Sequence, residues 1–318
     1  MNNFSIRKKL ILLSTIVLLV IFAYSMKISL DSYSSYSNDT QTQNIIELSV
    51  KISSVLHELQ KERGASAGFI GSKGEKFADI LPKQQANTDI KIAELKAYCE
   101  VCPLTEVGMV KKQIDLESVK AIRVKVNAQN ISVKDTVGFY TSLNKDIIDT
   151  ISYLSTIPEN AEVRTDFSSF VIFISSKERA GVERAVMSGV FAANKFTINS
   201  FAKFSSLASE QTTLLNLFSQ TTSKKHKEAF KKVLTDPSFI EVQRMRDIAF
   251  SKKTDFGVDS IYWFQTITKK INQLKAFEDK LAFDTIELAK QQASSAMFIL
   301  ILVTLVSIGI LILIIFIA

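Results

Sequence analysis

Residues 45–60 read IIELSVKISSVLHELQ, and the apolar seam in them is Ile45, Leu48, Ile52, Val55 and Leu59. The steps are 3, 4, 3 and 4 residues, which returns each side chain to one side of an α-helix. A half-buried strand would alternate at every second residue, and this stretch does not. The same stepping recurs far downstream in Ile261, Phe264, Ile267, Ile271, Leu274, Phe277, Leu281 and Leu288. With ten glycines and four prolines in 318 residues, and no Asn-Gly or Asp-Gly hairpin turn, the intervening chain reads as helices too.

Those helices fall at about 75–98, 104–128, 132–157, 160–195, 198–222, 224–235, 238–252 and 255–294, each placed by periodicity and by punctuation. Pro82, Pro103 and Pro158 stand near starts or stops, and Thr235-Asp236-Pro237 is a start signal. The cluster Gly64–Gly74 is expected to break the first long helix. Eight to ten helices exceed what a single four-helix bundle uses. The fold class expected is all-α: two up-down four-helix bundles sharing long helices, flanked by two transmembrane helices.

The flanks are two apolar stretches without charge, Leu10–Met26 and Ala296–Ala318. The second, 23 residues long, reaches across a hydrocarbon core of about 30 Å. The first is 17 residues, preceded by Arg7, Lys8 and Lys9, which places the N-terminus in the cytoplasm. A cleaved signal peptide competes with this anchor reading, since Ala23-Tyr24-Ser25 resembles a small-residue cleavage site. The resulting division is a cytoplasmic segment 1–9, a span 10–26, an exterior helical sensory body 27–295 and a span 296–318. This is the layout of a receptor ectodomain in a cell inner membrane, with the body periplasmic. No Pro or Gly separates the last helix from Ala296, so a stiff rod is expected to run from body to membrane. The chain stops within the second apolar run, and a cytoplasmic signalling module beyond residue 318 is expected.

Composition narrows the function. Thirty-nine basic residues against 32 acidic give a net charge of +7, and no basic cluster interleaved with aromatics suggests nucleic acid. With two histidines, His57 and His226, neither a catalytic triad nor a metal centre has enough ligands, and no cofactor or enzyme activity is expected. The two cysteines stand in Tyr98-Cys99-Glu100-Val101-Cys102-Pro103. In an oxidising compartment a local disulfide between Cys99 and Cys102 is expected first, with free thiols next. The run Phe191, Phe196, Phe201 and Phe204 and the cluster around Trp263 read as core, and Lys224–Lys227 as a solvated turn.

The arginines carry the chemistry. Arg63 stands four residues after Leu59 and shares its inward side. Arg179 stands seven after Ile172, and Arg244 lies between Ile240 and Ile248. Lys61-Glu62-Arg63-Gly64 is echoed 116 residues later by Lys177-Glu178-Arg179-Ala180, which fits a second bundle built on the plan of the first. A guanidinium keeps its charge when buried, so each inward arginine needs an anion beside it. Two readings stand. In one, Glu58, Glu62, Glu178 or Glu183 neutralises each arginine internally. In the other, Arg63, Arg179 and Arg244 converge on a small planar oxyanion, whose oxygens match the guanidinium fork.

The stretch Leu56–Phe69, LHELQKERGASAGF, resembles the opening motif of the nitrate- and nitrite-sensing family, as does Glu178-Arg179-Ala180. Asp259-Ser-Ile-Tyr-Trp263-Phe-Gln-Thr266, with Lys270 and Leu274, is similar to the last helix of that family. The resemblance covers about 45–290. It implies an all-helical pair of four-helix bundles that binds nitrate or nitrite through arginines near the bundle interface. Arg63 and Arg179 carry over directly, and Arg244 or Arg246 occupies the third position. Glu62 stands where some relatives carry a second basic residue. In relatives with this topology the cytoplasmic half is often a chemoreceptor (methyl-accepting chemotaxis) module, a histidine kinase or a cyclic-dinucleotide enzyme, and a homodimer is expected.

Overall fold

The computed structural model describes residues 6–317. Part of segment 1–9, and Ala318 of the second apolar stretch, lie outside the described residues. The order is α1 (Ile6–Gly71), α2 (Leu81–Val101), α3 (Glu106–Gln113), α4 (Ser118–Asn127), α5 (Val133–Leu154), α6 (Ala161–Ala193), α7 (Ile198–Thr221), α8 (Lys224–Val233), α9 (Pro237–Ser251) and α10 (Ser260–Ile317). Among the described residues the fold is all-α, with one lone bridge between Lys195 and Thr254.

The described chain divides into two units: residues 6–43 with 286–317, and Asn44–Thr285. In the first, the apolar stretches of α1 and α10 keep their side chains exposed, among them Leu13, Val20, Leu305 and Ile312. Each stretch is long and apolar enough to cross a membrane. Ser307 Oγ donates to Ser25 Oγ at 2.9 Å within this unit.

The second unit holds the core. Ile45, Leu48, Ile52, Val55 and Leu59 are fully buried, as the seam requires. Each such side chain contributes about 1.5–3 kcal/mol on burial, so this stripe, rather than any ion pair, supplies the drive to pack α1. Four helices gather round Glu62: it meets Arg123 of α4 and Tyr140 of α5, and Gln84 of α2 bonds Glu58 one turn away. Four more gather round Glu183 of α6, which meets Gln211 of α7 and Arg246 of α9, with Lys270 of α10 beside them. The second bundle adds an aromatic cluster in which Phe173 packs against Phe218, Phe230 and Phe277, with centroids 5.1–5.5 Å apart. The contacts with Phe218 and Phe230 are edge-on, an arrangement that adds to their burial.

Ends follow local chemistry. The Asn160 side chain accepts from Glu162 and Val163 to open α6, and Asp236 accepts from Ser238 ahead of Pro237 to open α9. Asn194 closes α6 at φ 51°.

Two expectations are corrected. Residues 104–128 form two helices, because Ile114 turns extended to bury its side chain and Asp115 then accepts from the Ser118 amide. Lys224–Lys227 opens α8 rather than forming a turn, since Ser223 caps the helix and His226 is buried. The cluster Gly64–Gly74 ends α1 as expected, at Gly71, and the glycines at 64 and 68 lie within the helix. They admit neighbours: a Cβ at Gly68 would stand 2.4 Å from the Phe77 ring, and one at Gly64 would stand 2.9 Å from Arg184 Nη2.

Candidate functional site

Arg63 continues the inward side of α1 beyond Leu59, and its side chain is 1% exposed. Its tip crosses to α6. Nη1 donates to Glu178 Oε1 at 2.5 Å and to Thr141 Oγ1 at 3.0 Å, and Nη2 donates to Glu178 Oε2 at 3.2 Å. Two amides complete the seat on that second oxygen: Gln60 Nε2 at 2.8 Å and Asn144 Nδ2 at 3.4 Å. Four donor groups from α1, α5 and the guanidinium fork therefore hold one planar carboxylate in a site closed to water.

Arg184 of α6 answers Arg63. Its guanidinium lies over the Phe264 ring at 5.0 Å and donates to Thr268 Oγ1 at 3.1 Å. Among the described residues it forms no ion pair. Burial, and Arg63 beside it, pull it down to about 10, well below the usual guanidinium range. The packing is reciprocal. Arg63 Nη2 lies where a Cβ on Gly181 would stand 2.9 Å away, and Arg184 Nη2 lies likewise against Gly64. Only glycine lets two helices bring guanidinium groups so close to the facing backbone. The cluster thus contains two guanidinium groups and one carboxylate, and carries one uncompensated positive charge in a dry interior.

A common plan underlies both bundles. Glu62 takes Arg123 Nε on Oε1 at 2.7 Å and Nη2 on Oε2 at 2.8 Å, with Tyr140 donating its hydroxyl at 2.7 Å. Glu183 takes Arg246 Nε on Oε1 at 2.7 Å and Nη2 on Oε2 at 2.5 Å, with Gln211 Nε2 donating at 2.6 Å. Glu62-Arg63 and Glu183-Arg184 are therefore the equivalent pairs. Burial alone would raise the Glu183 carboxyl, but Arg246 and Lys270 overcome it and hold it below its usual range. Lys270, fully enclosed and beside Arg246, is pulled down to about 7.

A third buried group lies on α6 at Lys177. It pairs with Glu278 of α10, which also accepts from Ser53 Oγ at 2.7 Å and from Lys275 Nζ at 3.1 Å. Burial would raise Glu278, yet Lys177 and Lys275 hold it down to about 2. Burial, with Lys177 adding to it, depresses the His57 imidazole to about 2, so it stays neutral.

The expected arginine set is only partly brought together. Arg63 points inward as expected. Arg179 is 39% exposed and pairs with Glu210 on the outside of α6 and α7. It precedes Arg184 by five residues, about 140° round the helix, which turns it away. Arg244 is 56% exposed and clasps Glu241 within its own helix. Its bracketing Ile240 is itself exposed; the seam of α9 is Val242, Met245 and Ala249, and Arg246 lies on that side. Arg184 escaped the sequence reading. The signal that finds it is Glu183-Arg184-Ala185 set against Glu62-Arg63-Gly64. Cys99 and Cys102 are free thiols, so the expected disulfide is not formed here. No group of three or more His, Cys, Asp or Glu suits a metal among the described residues.

Comparison with known proteins sets this geometry in context. Residues 54–286 match the family described as nitrate and nitrite sensing. The nitrate regulatory protein of Klebsiella oxytoca is 22% identical over 249 residues, covering 76% of this chain. The chain spans 62% of the length of that relative. Among solved structures, that of the NasR transcription antiterminator superposes with a TM-score of 0.73 at 19% identity, covering 90% of this chain and 83% of the other. That likeness is one of fold.

Proposed function

This chain belongs to the nitrate and nitrite sensing family, and on that premise we propose that it detects nitrate or nitrite between Arg63 and Arg184. One observation carries this reading: Arg184 is a buried guanidinium without an acid partner among the described residues, set beside the Arg63–Glu178 pair. A monovalent oxyanion entering there brings the cluster to neutrality. It also finds fork geometry on the guanidinium groups and amide donors on Gln60 and Asn144. Helices α1 and α6 each supply one arginine, so an anion bound by both favours whichever arrangement holds them closest.

In the same reading the chain is the sensory part of a membrane receptor that forms a homodimer. The apolar stretches of α1 and α10 anchor it, and residues 27–295 face the periplasm. The binding event travels along α10, whose Trp263 Nε1 donates to the Arg184 carbonyl at 3.2 Å and whose Thr268 accepts from its guanidinium. A second reading, a receptor for some other ligand or partner with internally paired arginines, draws support from the two-pronged Arg63–Glu178 contact.

The test is calorimetry on the full chain in detergent micelles with nitrate, nitrite and chloride, alongside emission from Trp263, the single tryptophan. Heat and a spectral change with nitrate or nitrite, both lost in Arg184→Gln, are expected. No heat with either anion overturns the nitrate reading and leaves the second one. Heat retained in Arg184→Gln overturns the assignment of the seat.

A further inference from the structure

Glu178 sits where the proposed ligand should. It is a planar group with two oxygens, 1% exposed. Both oxygens lie on the fork of Arg63, and one of them is further bound by Gln60 and Asn144. That donor set suits nitrite or one edge of nitrate as well as it suits a carboxylate, because all present two coplanar oxygens at similar spacing. A side chain tethered on α6 competes at a high effective concentration, whereas a free anion must be drawn from solution. Glu178 does not by itself neutralise the cluster. With Glu178 in place the cluster still carries an excess positive charge on Arg184, and each guanidinium lies against a glycine of the facing helix, Arg184 against Gly64 and Arg63 against Gly181.

Resting on the nitrate reading, we infer that Glu178 is a built-in competitor: in the unliganded protein its carboxylate occupies the Arg63 seat, and the sensed anion binds by displacing it. The site is then closed until ligand arrives, and the affinity of the receptor is set by how often Glu178 leaves. Apparent affinity falls in proportion to the fraction of molecules with the seat open. A side chain that holds the seat nine-tenths of the time or more weakens ligand binding about tenfold or more. Exchange of one monovalent carboxylate for one monovalent oxyanion at Arg63 leaves that fork neutralised. The freed carboxylate then stays within reach of a cluster that still holds the positive charge of Arg184. Ligand specificity follows as well, since a seat shaped to a carboxylate admits formate, a planar anion with two oxygens.

Two variants test this in the full chain. Glu178→Gln keeps the shape and removes the competing charge. Glu178→Asp keeps the charge and retracts it by one methylene from the fork. Dissociation constants for nitrate, nitrite and formate are measured by calorimetry, with folding checked by circular dichroism. Tightening of about tenfold or more in both variants, with formate competing, is expected. Variants that fold and bind the anions no more tightly than the wild type overturn the inference and leave nitrate sensing intact. Should Glu178→Gln fail to fold, Glu178→Asp decides alone. Failure of both to fold even in excess nitrate also overturns it, since a displaceable side chain must be replaceable by the anion. Absence of nitrate or nitrite binding in wild type and variants alike is a different result, and removes the underlying reading.

Discussion

Arg184 of α6 lies against Gly64 of α1, so close that a Cβ on the glycine would stand 2.9 Å from its Nη2. The guanidinium also lies over the Phe264 ring, 5.0 Å from its centroid. Gly64→Val is therefore expected to displace Arg184 and to cost about 1–3 kcal/mol in stability through overpacking. The thermal midpoint should fall, and the rise in that midpoint on adding nitrate should shrink or vanish. Gly181→Val, which crowds Arg63 in the same way, should behave alike. A Gly64→Val protein with an undiminished nitrate response refutes this.

Arg244 and Arg246 are two residues apart and should differ sharply. Arg246→Ala leaves Glu183 buried without its main partner, a loss of about 3–5 kcal/mol, moderated by Lys270 nearby. Arg244→Ala removes an exposed pair within one helix and should change stability by less than about 0.5 kcal/mol. Urea denaturation of the two variants side by side makes the comparison.

Lys270 gives the protein a pH dependence with a defined sign. In the folded state it is pulled down to about 7, whereas its ordinary value is 10.5. Between these the unfolded chain binds the proton that the folded state has released, so stability rises with pH across that window. Below pH 7 the ammonium is charged in both states, and the cost of burying it beside Arg246 is fully present. The stability of the wild type relative to Lys270→Met should therefore increase from pH 7 toward pH 10. Urea midpoints at intervals across this range provide the check, and a flat difference counts against it.

The two cysteines should react in order. Cys99 is buried and its thiol is raised by that burial, while Cys102 caps α2 and is half-buried. Alkylation at pH 8 followed by mass spectrometry should label Cys102 first. Equal rates would mean that the end of α2 is looser than its hydrogen bond from Cys102 to the Tyr98 carbonyl suggests.

Much of the fold was legible because helix seams repeat. The positions from Ile267 to Leu281 are buried as their spacing predicts, while toward the ends of that stripe Ile261 is exposed and Phe264 and Leu288 are half-buried. Thr235-Asp236-Pro237 opens α9 as read. Arg63 was legible for the same reason, since it prolongs a long apolar stripe. Arg184 was not, because a three-residue match at Lys177-Glu178-Arg179 outweighed the two-residue match at Glu183-Arg184. The true stripe of α6 passes through Lys177, Arg184 and Phe191 at seven-residue steps, two of them charged, and hydrophobicity alone passes over charges. Isoleucines misled at Arg244, since an exposed Ile240 says nothing about the core. The break within 104–128 carried no Pro or Gly, and only tertiary burial of Ile114 reveals it.

Helix α6 holds Lys177, Glu178, Glu183 and Arg184 within two turns, and each engages a different set of partners: Glu278, Arg63, Arg246 and Thr268 respectively. Sliding or rotating this helix by a fraction of a turn would strand several enclosed charges at once, so intermediate settings are penalised steeply. A protein switched through such a helix should answer in discrete steps, with individual molecules flipping between two registers while the population average alone looks graded.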